Sequence, residues 1–111
     1  MRNVLITGTS SGFGLHTAAE VARRGWRVFA TMRSLDKRAP LDAAVAAVGA
    51  TERLDVTQLD VTDAASVEAG ARTVLARAGG RRVAVVHNAG VAVRGAFEDV
   101  PDAEARRVME T

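Results

Sequence analysis

Four short apolar runs, each followed by a stretch of helical periodicity, limit the folds open to this chain of 111 residues. Val4-Leu5-Ile6, Arg27 to Met32 ("RVFATM"), Arg53 to Asp60 ("RLDVTQLD") and Arg82 to His87 ("RVAVVH") read as strands. Between them the apolar residues recur every three or four positions. Phe13, Leu15, Ala18, Ala19, Val21 and Ala22 mark a helix from Gly12 to Arg24, which Gly25 stops. Leu41, Ala44, Val45 and Val48 mark a second, opened by Pro40 and ended by Gly49. A third spans Ala64 to Ala78, capped by Thr62 or Asp63, with Val67, Ala71, Val74 and Leu75 expected on its buried face. Gly79-Gly80 stops it, Asn88-Ala89-Gly90 forms a turn, and Pro101 to Thr111 begins a fourth helix.

Strands alternating with helices of this length pair in parallel, with right-handed crossovers between them. Mainly apolar strands are expected where helices cover both faces. The expected fold is α/β, a doubly wound parallel sheet forming one domain over residues 1–111. With 48% hydrophobic and 25% charged residues, the chain is globular rather than disordered. A net charge of +2, with arginines scattered rather than striped, argues against a nucleic-acid partner. The absence of cysteine excludes a disulfide framework and a thiolate metal site, and fits a cytoplasmic location. No apolar run approaches the ~18 residues of a membrane span. Met1 to Val4 leads directly into strand residues, so no signal peptide is expected.

The turn after the first strand, "TGTSSGFG" (residues 7 to 14), carries the chemistry. In a doubly wound sheet it lies at the carboxyl edge, where ligands bind. Gly8 can take a positive φ. Gly12 leaves room for another group to approach the backbone, and Gly14 lets the helix pack closely on the sheet. The helix then offers unpaired N–H groups and a positive dipole end, which suit a phosphate or pyrophosphate. Thr9, Ser10 and Ser11 add hydroxyl donors. An ordinary flexible turn is the competing reading, and three glycines so placed argue against it. A P-loop is excluded because no lysine follows the glycines, and Thr17 stands where G-x-G-x-x-G would need glycine or alanine. What remains is T-G-x-x-x-G-x-G.

On these residues the chain resembles the N-terminal part of a short-chain dehydrogenase/reductase. "TGTSSGFG" is similar to that family's glycine motif, "LDVT" (59 to 62) to its acidic motif, and "HNAG" (87 to 90) to its N-N-A-G with one change. "EDVPDAEARRVMET" (98 to 111) looks like the family's fourth helix. The resemblance implies a Rossmann-type sheet, incomplete here, with strand order 3-2-1-4. It implies a nicotinamide dinucleotide held at Gly8, Ser10, Ser11, Gly12, Phe13 and Gly14. Asp60 would hydrogen-bond the adenine amino group beside the Val61 backbone. Asn88, Ala89 and Gly90 would run past the cofactor ribose. Asp60 could instead cap the following helix. His87 is expected to be a structural strand-end residue, and His16 a surface one. "FATMRS" and "GFGLHTA" look most like the hydroxysteroid and retinol dehydrogenase branch.

A carboxylate after the second strand would select NAD by bonding the ribose 2′-hydroxyl. Here Met32 and Arg33 stand there, and a guanidinium can grip a 2′-phosphate through two hydrogen bonds. Ser11 lies where the family often adds a contact to that phosphate. NADP(H) is therefore expected over NAD(H), unless Arg33 is merely solvated.

The family's chemistry uses a serine and a Tyr-x-x-x-Lys pair. This chain has no tyrosine, and Lys37 is its only lysine. No catalytic residue is therefore assigned within it, and it is expected to be a cofactor-binding part, inactive alone, of an enzyme acting on an alcohol or ketone. The alternatives are a non-catalytic nucleotide-binding or protein-interaction module, or a subunit completed by a second chain. The fourth strand would form an edge, so homo-oligomerisation, or completion by a C-terminal half, is expected. Expressed alone, the segment is not expected to be a stable monomer.

Overall fold

A computed structural model describes residues 1–91 and 97–111. Strands β1 (Asn3–Ile6), β2 (Arg27–Met32), β3 (Leu54–Gln58) and β4 (Val83–Val86) form one parallel sheet in the order β3-β2-β1-β4. Helices α1 (Gly12–Arg23), α2 (Ala39–Ala47) and α3 (Ala64–Ala78) follow the first three strands, and α4 (Asp102–Glu110) follows β4. This is the expected doubly wound architecture and order. β3 is shorter than the apolar alternation suggested. Arg53 closes a 3-10 turn before it, and Leu59 keeps only its amide bond to the Met32 carbonyl, at 3.0 Å.

The period of two along a strand sorts the core into two layers. Val4, Ile6, Val28, Ala30 and Met32 join Leu15, Ala18 and Ala22 of α1 and Leu41 and Val45 of α2. The intervening Leu5 and Phe29 meet Val74 and Ala78 of α3.

The expected buried face of α3 needs correction. Val74 is buried, but Leu75 is 59% exposed and Val67 39% exposed. The stripe against the sheet is Gly70, Val74 and Ala78. Gly70 explains this register. A Cβ there would stand 2.8 Å from Leu59 Cδ1, so the bare backbone lies against the residue that follows β3. Leu75 is one residue on from Val74, and thus about 100° round the helix. The N-terminus of α3 is capped by Asp63, which accepts from the amides of Ala65 (3.0 Å) and Ser66 (3.4 Å). Thr62, the other candidate cap, bonds to Asp60 instead.

β4 is an edge strand. Its only neighbour among the described residues is β1, and Val85 and Val86 are exposed.

Candidate functional site: a crevice at the carboxyl edge of the sheet

The chain segments that leave the four strands enclose a crevice of about 770 Å³, within the usual range for small-molecule sites. The β1–α1 turn forms its floor. Gly8 has φ +71°, and a Cβ on it would lie 2.7 Å from Ala89 Cα. It therefore lets the turn after β4 pass directly alongside. Gly12, at φ +58°, has nothing within 4 Å of where a Cβ would project, so its backbone faces open space. Gly14 works differently from the expectation. It is buried beneath the crevice, where a Cβ would stand 2.1 Å from the Gly8 carbonyl oxygen and 2.5 Å from Asn88 Nδ2. Its bareness serves the turn rather than helix-on-sheet packing.

Asn88 joins the two turns. Its Nδ2 donates to the carbonyls of Thr7 (3.2 Å) and Gly8 (3.1 Å). In return Thr7 Oγ1 accepts from the amides of Asn88 and Ala89, both at 3.0 Å. Ser11 occupies the N-cap position of α1 in extended geometry, but its side chain makes no capping bond, so its hydroxyl stays available. Phe13 projects into solvent, 88% exposed, at the crevice mouth.

The far wall carries charge. Arg33 follows β2, exposed, and its backbone carbonyl accepts from Gln58 Nε2 at 3.2 Å. Asp60 is half-buried. Its Oδ1 accepts from Thr62 Oγ1 (2.7 Å) and the Thr62 amide (3.0 Å). These bonds, with a smaller contribution from the Arg33 cation, hold its carboxyl below the usual carboxylate range against the opposing effect of burial. Asp60 is thus anionic at neutral pH, with Oδ2 outside the Thr62 bonds. The helix-capping role that competed for Asp60 belongs to Asp63.

Of the twelve residues singled out from sequence, Gly8, Ser10, Ser11, Gly12, Phe13, Arg33, Asp60, Val61, Asn88, Ala89 and Gly90 line this one crevice, and Gly14 supports it from below. His16 and His87 are exposed and outside its lining. The sequence reading missed Ser34 and Lys37 beyond β2, Leu59 and Thr62 beyond β3, and Arg106 and Arg107 on α4 as lining residues. Lys37 had a usable signal, being the only lysine and four positions past Arg33. The α4 arginines had none, because only the fold brings that helix back over the crevice.

A nicotinamide dinucleotide fits this donor set. A bare helix N-terminus and a spare hydroxyl suit a diphosphate, and an anionic carboxylate suits an amino group.

Residues 2–111 match the family described as short chain dehydrogenase. An uncharacterized oxidoreductase, YusZ, of Bacillus subtilis is 39% identical over 107 residues, covering 96% of this chain and 37% of that protein. Retinol dehydrogenase 8 of Bos taurus is 40% identical over 114 residues, covering 99% of this chain and 35% of the relative. The crystal structure of F189W actinorhodin polyketide ketoreductase with NADPH superposes with a TM-score of 0.84 at 29% identity, covering 99% of this chain and 41% of that one. The chain thus spans about a third of the length of the curated relatives it matches.

Proposed function

This chain belongs to the short-chain dehydrogenase family, and from that premise we propose that its crevice holds the nicotinamide dinucleotide of an oxidoreductase, with NADP(H) preferred over NAD(H). The observation that carries the reading is one crevice in which the bare N-terminus of α1 and the cation of Arg33 stand together. Amides of the β1–α1 turn and the Ser11 hydroxyl bind the diphosphate. Asp60 accepts from the adenine amino group beside Val61. The backbone of Asn88, Ala89 and Gly90 runs past the ribose. Arg33 grips the 2′-phosphate, with Ser11 as a second donor. The bound nicotinamide would supply hydride transfer to or from the substrate, here an alcohol or ketone. Proton transfer falls to residues outside this chain, which contains no tyrosine. These 111 residues alone are inactive in that reading.

Fluorescence titration of the complete protein with NADPH and NADH tests the preference. A charge-assisted hydrogen bond contributes about 1.5–3 kcal/mol, so Arg33→Asp should weaken NADPH by about tenfold or more while sparing NADH. Tighter NADH than NADPH binding by the unmodified protein refutes the cofactor assignment.

A further inference from the structure

Thr9 is 0% exposed, although Ser10, Ser11 and Gly12 beside it all line the crevice. Its amide and its Oγ1 both donate to one acceptor, the Thr31 carbonyl of β2, at 3.2 and 3.1 Å. Thr31 is also 0% exposed, and its Oγ1 donates to the Ile6 carbonyl, the last of β1, at 3.1 Å. Two buried hydroxyls therefore link the end of β1, the glycine turn and the end of β2 into one unit. Met32 and Arg33 follow Thr31 directly in the chain. A single carbonyl thus fixes the amide-bearing turn relative to the opposite wall of the crevice.

We infer that Thr9 and Thr31 are positioning residues, which set the spacing between the diphosphate-binding turn and the adenosine-binding wall. The inference rests on the dinucleotide reading above. Valine matches threonine in shape but lacks the hydroxyl, so Thr9→Val removes one of the two bonds to Thr31 and leaves the packing. The turn can then shift relative to β2. A ligand that spans both walls loses affinity, whereas one that touches only the adenosine wall does not.

The test uses the complete protein, with NADPH (and NADH) as the spanning probes and adenosine as the one-sided probe, binding being followed by calorimetry and by NMR. Loss of one hydrogen bond should weaken the dinucleotide by about fivefold in Thr9→Val and in Thr31→Val. Adenosine affinity should stay within twofold of the wild type. Thr9→Ser, which restores the hydroxyl, should return the dinucleotide affinity. A purely structural role would lower the melting temperature and leave the ratio of the two affinities fixed. The inference is overturned if Thr9→Val binds the dinucleotide as the wild type does, if both probes weaken alike, or if serine fails to rescue. A wild-type protein that binds neither dinucleotide overturns the site reading and this inference together.

Discussion

The two faces of the sheet are built by different means. On the α1/α2 side, twelve buried residues among those described form one continuous cluster, drawn from α1, α2, β1 and β2 with Ala50 after α2. On the α3 side the cluster is four residues, Leu5, Phe29, Val74 and Ala78. Polar bridges supplement the small apolar area there. Asp55 of β3 pairs with Arg77 of α3 and, at 3.6 Å, with Arg27 of β2. Arg27 also donates to the Arg77 carbonyl at 2.8 Å and stacks over Phe29 at 4.7 Å from the ring centroid. Because these groups are partly exposed, each contributes little beside a buried leucine. The α1/α2 side therefore carries the stability, and it is also the side whose helix opens into the crevice. The α3 side keeps its partner positions open at Val67, Leu75 and Val85.

Paired truncations are the most forceful way to break this contrast. Leu41→Ala empties a fully buried site on the α1/α2 side and should cost about 2–5 kcal/mol in urea unfolding. Leu75→Ala, on the exposed flank of α3, should change stability by less than about 0.5 kcal/mol. Similar losses at the two positions would mean that the α3 face is covered in solution.

Covering is itself measurable. An exposed edge strand with apolar side chains templates pairing with another chain. Expressed alone, the 111 residues should gain apparent mass with concentration in light scattering, and Val85→Lys should suppress much of that gain. A dilute monomer with a sharp, reversible unfolding transition would show that the β4 edge tolerates water. The relatives' greater length makes the complete protein the natural control, since its β4 should not self-associate in this way.

Asn88 ties together the turns after β1 and β4 rather than either face, so removing it sharpens the comparison at the crevice. Asn88→Ala leaves the Thr7 and Gly8 carbonyls without their side-chain donor and should cost about 1–3 kcal/mol. The damage should concentrate at the crevice. Amide exchange should quicken at Gly8 and Ala89 and stay unchanged across α2. Uniform acceleration would mean that Asn88 supports the whole sheet rather than the contact between turns.

The difference between the faces also separates what the residues disclosed from what they concealed. The strands and the crevice follow from local patterns, whereas the strand order rests on the family resemblance. Apolar runs set the strands, and glycines with positive φ set the turn at Gly8 and Gly12. Both signals lie within a few residues of the feature they specify. Periodicity on α3 identified apolar positions, but it could not show whether anything covers them, and Leu75 is the cost of that gap. Gly70 was silent because its role depends on Leu59, eleven positions earlier and just past the end of β3. Gly14 was assigned to packing on the sheet, when the tight contact is with the Gly8 carbonyl and Asn88, across a seam between distant segments. Thr9 and Thr31 looked like a hydroxyl donor for a ligand and an ordinary strand residue. Their mutual bond needed the fold to bring them together.

The smallest effect calibrates the rest, because it depends on neither face. Glu20, on the outer surface of α1, accepts from Arg23 at 2.7 and 2.9 Å and from Arg24 at 2.8 Å. Hydrogen bonds from Arg23, then from Arg24, lower its pKa from 4.5 to about 2. A carboxyl with a depressed folded-state pKa stabilises fully above its unfolded value and loses that contribution as pH falls through the folded one. The Glu20 contribution should therefore be intact at neutral pH, decline below 4.5, and be gone once pH has passed below about 2. All three side chains are exposed, so water and salt screen the interaction and the change should be slight. The difference in urea midpoint between wild type and Glu20→Gln should be greatest at neutral pH and low salt, and vanish in acid. A difference that persists unchanged at the lowest pH would assign the role of Glu20 to packing of its methylene stem on α1 rather than to its charge.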